Sequence, residues 1–529
     1  MKKYLLSIFA LLLPFLTIAQ EVAKKGWDER INDWFSPISN AWSGFVFTTV
    51  TFPGGATAPI VIIWLVVAGT LFTVLFKFIN IRLVSTSFNI LRGKYDALDH
   101  HEAMPMVGDL TPGDDIRETA AIEGHHGEVS HFQALTAALS GTVGLGNIAG
   151  VAIAISLGGP GATFWMIIAG LLGMSSKFVE CTLGVKYRDL GSDGTVYGGP
   201  MYYLKKGLAD VGQSKLGKVL AVVFAIMCIG GSFGGGNMFQ ANQAALQFNT
   251  MIGSNSTSAG VIFGIVMAFV VALVIIGGIK RIGSFTEKIV PFMIGMYMLG
   301  GIIIILLHWN QIDDALFEIL NGAFNVQGIT GGVLGVLIIG FQRAAFSNEA
   351  GVGSAAIAHS AVKTKYPASE GFVALLEPFI DTVIVCTMTA LVIIVCNGDG
   401  SIMEYGVKAS DGVLTTSKAF ESVLPWFPYV LTMAVILFAF STMLSWSYYG
   451  LQSWMFIFGR SKASDYTYKV LFCLFIIIGS AASLGAVTDF SDAMIFAMSV
   501  PNIIGLYFLF PKVKDEVTKY MEAIKAKKD

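Results

Sequence analysis

Apolar runs of about 20 residues, separated by short polar stretches, recur along most of the chain, and that is the length a helix needs to cross a hydrocarbon layer about 30 Å thick. They place spans near 57–80, 131–157, 161–185, 219–247, 259–277, 289–307, 329–357, 372–396, 425–450, 470–487 and 493–511. The pattern predicts an all-α integral membrane protein with about 11 transmembrane helices. Most runs read as uninterrupted apolar helix. The second and the seventh do not.

The second run carries Ser140-Gly-Thr-Val-Gly-Leu-Gly-Asn-Ile-Ala-Gly150. Each glycine costs a helix about 1 kcal/mol relative to alanine, so Gly141, Gly144, Gly146 and Gly150 together predict a break. The seventh run carries Gly340-Phe-Gln-Arg-Ala-Ala-Phe-Ser-Asn-Glu-Ala-Gly-Val-Gly353, which puts Arg343, Asn348 and Glu349 deep in an apolar segment. Charges there mark a functional or gating site, or else Arg343 and Glu349 pair to hold a break open. The two segments echo each other, since Asn147-Ile-Ala-Gly150-Val151 returns as Asn348-Glu-Ala-Gly351-Val352. They lie five spans apart, so the second copy crosses the membrane in the opposite direction. Two five-helix units, 131–307 and 329–511, each opening with a broken helix and preceded by one extra helix at 57–80, form the 5+5 inverted repeat of LeuT-type transporters.

A break has chemical consequences. Carbonyls ending the first half lose their helical partners and can hold a cation, while N–H groups opening the second half can hold a carboxylate. Ser140, Thr142 and Val143 are the cation candidates. Gly144, Gly146 and Asn147 are the carboxylate candidates, with glycine allowing close approach to the backbone.

Composition agrees with a membrane environment: 54% of residues are hydrophobic and 13% charged, with a mean hydropathy of +0.68. The net charge of -2 and the scatter of Lys and Arg between apolar runs leave no basic footprint for nucleic acid. The five cysteines fall within spans without CxxC spacing and read as small core residues. Lys2-Lys3, an apolar stretch from Tyr4 to Ile18 and the small Ala19 read as a signal peptide over 1–19, with an uncleaved signal anchor as the alternative. The mature chain then starts outside with a periplasmic segment, 20–56. The loops expected inside hold most of the Lys and Arg, including Arg82, Arg92, Lys94, Arg117, Lys186, Arg188, Lys280, Arg281, Lys363, Lys365, Arg460 and the lysines of a cytoplasmic tail, 512–529. Only Lys24, Lys25, Arg30, Lys408 and Lys418 remain outside, as the positive-inside rule requires of an inner-membrane protein with its C-terminus in the cytoplasm. Residues 82–130 form a polar cytoplasmic loop, either a small amphipathic excursion or disordered.

Other polar residues stand out against this background. Asp381 is an intramembrane carboxylate with nothing basic near it in sequence, so it reads as an ion ligand or proton relay, or as a structural hydrogen bonder. Glu377 lies nearer the cytoplasmic side, where snorkelling or capping would explain it. Lys177 and Glu180 read as an i,i+3 ion pair. Asn237, Gln240 and Asn242 place amides in the fourth span, where they bind a zwitterion or pack helices together. Trp446 caps a pocket or packs in the core. His125, His126, Glu128 and His131 lack HExxH spacing and read as a solvated loop rather than a metalloenzyme site.

The blocks Gly158-Gly-Pro-Gly-Ala-Thr-Phe-Trp-Met166 through Gly173, Gly198-Gly-Pro-Met-Tyr-Tyr203, Gly236-Asn-Met-Phe-Gln-Ala-Asn242, Ser347-Asn-Glu-Ala-Gly351, Asp381-Thr382 and Ser441-Thr-Met-Leu-Ser-Trp446 resemble the alanine or glycine:cation symporter family over nearly the whole chain. Ile167 replaces a tryptophan of the family signature, and Leu145 stands where threonine is more frequent. The resemblance implies sodium-coupled uptake of alanine, glycine or a similar small amino acid, with no catalytic cofactor. A proton is the alternative coupling ion, and an ion channel is the alternative class. By similarity, one sodium site would use Ser140, Val143, Ser441 and Thr442, and a second Thr142, Asn147 and Asp381. The substrate would meet Thr142, Gly144, Gly146, Asn147, Asn237, Gln240, Asn242, Phe341 and Trp446.

Overall fold

The computed structural model describes residues 27–52, 57–99, 127–191, 195–254, 258–325, 332–407 and 412–527. The signal-peptide reading of 1–19 and the histidines His125 and His126 lie outside the described residues. In chain order the main helices are α1 (Trp27–Val46), α2 (Ile60–Leu75), α3 (His131–Thr142), α4 (Gly146–Gly158), α5 (Gly161–Lys186), α6 (Pro200–Asp210), α7 (Ser214–Met251), α8 (Ala259–Ile275) and α9 (Gly278–Leu307). After them come α10 (Ile312–Phe324), α11 (Gly332–Asn348), α12 (Ala355–His359), α13 (Pro367–Cys396), α14 (Gly412–Val423), α15 (Phe427–Phe458), α16 (Lys462–Ala481) and α17 (Leu484–Ala526).

Among the described residues, seven helices are long and apolar enough to cross a bilayer, namely α5, α7, α9, α13, α15, α16 and α17, and α3 with α4 makes a further span bent by 51°. The shorter apolar helices α2, α8 and α11 coincide with the remaining runs. Each run read from the hydropathy pattern therefore coincides with a helix.

Both expected breaks are present. α3 opens on a capping box, in which the Ser130 hydroxyl accepts from the Gln133 N–H and the Gln133 side chain accepts from the Ser130 N–H, and it stops at Thr142. α11 stops at Asn348, after which Glu349, Gly351 and Gly353 adopt φ of 56°, 82° and 94°. Glycine accepts that conformation readily, whereas Glu349 holds it at a cost of roughly 1–3 kcal/mol. α3 packs on α12, and α4 packs on α11. The two broken helices thus lie antiparallel with their breaks side by side, and a methyl carbon added at Gly146 would sit 3.4 Å from the Ser347 Cα. α15 covers α3, and α14 covers α4.

Two further irregularities are not anticipated by the hydropathy pattern. α7 contains a π segment at Gly234–Met238, and α13 contains one at Phe379–Cys386. Such segments leave a helix locally widened and often occur at functional sites. The run Gly234-Gly-Gly236 is the sequence signal for the first.

The segment 20–56 is more than a peripheral tail. Its described part forms α1 and a strand, β1 (Thr49–Thr51), paired antiparallel with β2 (Thr57–Pro59). α1 lies along α17, where the Ser39 hydroxyl donates to the Ala486 carbonyl at 2.6 Å and Phe35 meets Phe490 edge-on at 5.2 Å. In the segment 82–130, the described part holds short helices at Val84–Leu91 and Asp96–Asp99. The former has Thr86, Ser87 and Ile90 buried against the bundle, which favours the amphipathic-excursion reading for that stretch.

Candidate substrate and ion site

The first break is made by two side-chain amides. In a continuous helix the N–H groups of Gly144 and Leu145 would bond to the carbonyls of Ser140 and Gly141. Instead, the Gly144 N–H donates to Asn147 Oδ1 at 2.9 Å and the Leu145 N–H donates to Gln240 Oε1 at 3.0 Å. The last regular bond of α3 runs from the Val143 N–H to the Leu139 carbonyl at 2.7 Å. The ladder is thereby diverted away from the Ser140 and Gly141 carbonyls. Gln240 is itself aimed by its other end, which donates to the Gly235 carbonyl in the π segment of α7 at 2.9 Å.

α15 lines the other side of this break. The Ser140 hydroxyl donates to the Ser441 carbonyl at 2.7 Å, and Ser441 turns its own hydroxyl to the Phe438 carbonyl at 3.1 Å. Ser445 reaches across to the Ala137 carbonyl at 2.7 Å. Thr442 differs from these neighbours, because its hydroxyl is buried and has no hydrogen-bond partner among the described residues. It faces Gly144 so closely that a methyl added there would lie 2.5 Å from Thr442 Oγ1 and 3.1 Å from Gln240 Oε1. Buried hydroxyls are almost always satisfied, so an orphan among carbonyl and hydroxyl oxygens fits a monovalent cation as its partner. Of the four residues read as one cation set, Ser140 touches Ser441 directly and Thr442 faces Gly144, the residue after Val143.

The second break and the π segment of α13 meet the first break through Asp381. Its Oδ1 accepts from Asn147 Nδ2 at 2.6 Å, and its Oδ2 accepts from the Ser347 hydroxyl at 2.9 Å and the Thr382 hydroxyl at 2.7 Å. Asp381 is fully buried, and these hydrogen-bond donors are all neutral. Ser347, Thr382 and Cys386, whose sulfur lies 3.2 Å from Asn147 Nδ2, belong to this cluster; Ser347 and Thr382 stand in the family-like blocks, but none of the three is among the site residues expected from sequence. Asn348, the echo of Asn147, accepts from the Ala350 N–H at 3.0 Å and donates to Thr382 Oγ1 at 2.8 Å.

Several sequence expectations are corrected. The Gly144 N–H, expected to face a carboxylate, is capped by Asn147. Thr142 bends its hydroxyl back onto the carbonyls of Ala138 and Leu139 at 3.3 and 3.4 Å, so it is not joined to the Asp381 cluster. Asn237 donates to the Phe472 carbonyl at 2.7 Å, and Asn242 to those of Gly479 and Ala482 at 3.1 and 2.7 Å. Both therefore fasten α7 to α16, and of the three amides expected to meet the substrate only Gln240 reaches the break. Arg343 pairs with Asp492 of α17 rather than with Glu349. Glu349 accepts from the Trp446 indole N–H at 2.9 Å and from the Ser354 hydroxyl. Trp446 is buried, with its ring against Gly236, where a methyl would lie 2.1 Å from Cγ. Phe341 is buried on α11, roughly two turns before the break.

Lys177 does not pair with Glu180. Its ammonium lies 3.0 Å from Glu377 of α13, and Glu180 accepts from Asn502 at 2.9 Å. Glu377 is accordingly buried in an ion pair rather than snorkelling or capping. His131, read as part of a solvated loop, is the first residue of α3 and is buried against Glu370. Cys181, His359 and Glu377 bring ligand-type atoms within 4.8 Å of one another. The Lys177 ammonium on the same carboxylate would repel a metal ion there, so the group is better described as a polar network.

A polytopic helical bundle with two antiparallel broken helices, and with cation-type oxygens gathered at their junction, defines a membrane transporter rather than an enzyme. The family model described as the sodium:alanine symporter family matches residues 46–529. The chain belongs to that family. It is 41% identical over 76% of its length to the sodium/alanine symporter AgcS of Methanococcus maripaludis, covering 86% of that protein. It is 32% identical to the probable sodium/glutamine symporter GlnT of Bacillus subtilis, over 78% of this chain and 83% of that one. Among solved structures, MhsT in complex with L-phenylalanine aligns with a TM-score of 0.49 at 14% identity, over 73% of this chain and 99% of that one. The protein is accordingly a small-amino-acid:cation symporter.

Proposed function

We propose that the protein imports alanine, glycine or a similarly small amino acid together with sodium, by alternating access around the two breaks, with no catalytic cofactor. The observation that carries this reading is the buried, partnerless Thr442 hydroxyl facing Gly144, beside the carbonyl end of a broken helix. Hydroxyl and carbonyl oxygens suit a hard, weakly charged cation better than soft ligands would. Asp381, which touches both broken helices through Asn147 and Ser347, is the group through which ion binding would be felt at both breaks. The names of the relatives support sodium as the ion, and they span alanine and glutamine as substrates. We place the protein in the inner membrane, with 11 spans, the N-terminus outside and the C-terminus in the cytoplasm.

The energetics suffice with a single ion. Co-transport of a net-neutral amino acid with one sodium moves one charge, worth about 2.3 kcal/mol per 100 mV. At roughly 150 mV with a tenfold sodium gradient the total is ~5 kcal/mol, or more than ~10³-fold accumulation.

Reconstituted protein should take up alanine or glycine only with an inward sodium gradient. Uptake that persists when choline replaces sodium at constant pH, and collapses with a protonophore, would move the coupling to a proton and make Asp381 its carrier.

A further inference from the structure

A second polar assembly lies apart from the ion site, at the end of the bundle where α3 begins and α12 ends. Four hydrogen-bonded or ionic links join five buried side chains from four helices. His131 Nδ1 of α3 contacts one oxygen of Glu370 on α13, and the other Glu370 oxygen lies 2.5 Å from His359 Nδ1 on α12. His359 Nε2 contacts one oxygen of Glu377, and the other lies 3.0 Å from the Lys177 ammonium of α5. Beside it the backbone is sealed. The Glu128 and Val129 N–H groups donate to the Ala361 carbonyl at 2.7 and 3.2 Å, and the Lys363 N–H donates to the Val129 carbonyl at 2.8 Å. Arg188 donates to the carbonyls of Ser360, Val362 and Thr364 at 2.8, 2.6 and 3.1 Å.

From this geometry we propose that the His131–Glu370–His359–Glu377–Lys177 chain is a proton-holding latch that keeps the two broken helices together at this end, so that opening this side of the transport path releases a proton. His359 is the centre of the argument. Both of its ring nitrogens face a carboxylate oxygen, and a neutral imidazole carries only one N–H. The closed arrangement therefore needs one proton more than a neutral histidine between two carboxylates supplies, either on the ring or on a carboxyl. An opening that carries α3 and α12 off α13 draws His131 and His359 away from their shared Glu370. Exposed to water, an imidazole with its ordinary pKa near 6.5 gives that proton up at neutral pH.

Lys177, Glu180 and Cys181 approach from α5, Arg188 from the segment after it, Glu349 from the second break and the Tyr449 hydroxyl from α15. The positive groups are Lys177 and Arg188, which Glu370 and Glu377 would partly neutralise. Glu180 and Glu349 add negative charge only where they are ionised, and in that form they favour retention of the extra proton while the latch is closed.

The sign follows from the proton count. The closed state binds one more proton, so acid favours closure, and the opening equilibrium rises roughly tenfold per pH unit above about 6.5. The inference rests on the alternating-access reading for its meaning, but its test does not depend on transport. Full-length protein in nanodiscs is compared by hydrogen–deuterium exchange at pH 6.5, 7.5 and 8.5, with peptides covering 127–137 and 355–363 corrected for intrinsic exchange. Protection should fall about tenfold per unit in the wild type, and the slope should be clearly flatter in His359→Gln, which removes the central titrating group and leaves only the His131–Glu370 contact. A flat wild-type profile, or an unchanged slope in His359→Gln, overturns the proposal. If His359→Gln does not fold, the wild-type slope still decides, and Glu370→Gln should flatten it. Loss of sodium dependence in uptake would refute the proposed function and leave these exchange results untouched.

Discussion

Gly144→Ala tests the ion site most directly, because the space around this residue is defined on both sides. The added methyl would lie 2.5 Å from Thr442 Oγ1 and 3.1 Å from Gln240 Oε1, whereas non-bonded heavy atoms rest about 3.5 Å apart. The Thr442 hydroxyl must therefore move by roughly 1 Å, away from the carbonyl end of α3, and overpacking of this kind costs about 1–3 kcal/mol. Alanine also favours regular helix over glycine by about 1 kcal/mol, which works against the break. Both effects act on the oxygens proposed to hold sodium. Half-saturating sodium for alanine uptake should rise about tenfold or more, since each 1.4 kcal/mol is a factor of ten. The assay is a sodium titration of uptake in proteoliposomes, with Gly150→Ala as control. A methyl at Gly150 meets nothing within 4 Å, and that variant should stay within about twofold of wild type. If both act through one contact, Gly144→Ala in a Thr442→Ala background should add little further loss. Wild-type sodium affinity in Gly144→Ala, or an equal loss in Gly150→Ala, would refute the assignment.

Two other substitutions probe the scaffold around the breaks. Gln240→Leu leaves the buried Leu145 N–H without its acceptor and lets the helix re-close onto Gly141, so stability should fall by about 1–3 kcal/mol and gradient-driven uptake should be lost; thermal unfolding and uptake together check this. Arg343→Met strands the buried carboxylate of Asp492 and should cost about 3–5 kcal/mol, with much of the loss recovered in Arg343→Met/Asp492→Leu; a melting temperature unchanged by the single substitution would contradict the pairing.

The membrane helices and the two breaks were legible in the sequence because each has a local cause: apolar length for the helices, and clustered glycine or intramembrane charge for the breaks. The partners of the buried charges were not legible. Arg343 and Glu349 lie close in sequence, as do Lys177 and Glu180, yet Arg343 finds Asp492 and Lys177 finds Glu377. In each case the partner comes from a helix more than a hundred residues away, which i,i+3 and i,i+4 reasoning cannot reach. The amides of α7 illustrate the same limit. Asn237, Gln240 and Asn242 look equivalent in the sequence, but Asn237 and Asn242 bond to α16 and its C-terminal end, and Gln240 reaches the break.

The repeated asparagine is where sequence and structure say most about each other. Asn147 and Asn348 each accept a backbone N–H at their own break, from Gly144 and from Ala350. With the other end of the amide each donates to α13, Asn147 to Asp381 and Asn348 to Thr382. One short stretch, in a π segment whose widened turn presents consecutive side chains to both breaks, thus holds both asparagines. An aspartate at 381 and a hydroxyl at 382, which itself donates to that aspartate at 2.7 Å, link the two asparagines through two side chains. On the proposed reading, a change in charge at Asp381, by an ion or a proton, would alter the anchoring of both asparagines at once. Coupling between the two breaks therefore needs no long pathway, only a carboxylate placed where the two copies of the same motif meet.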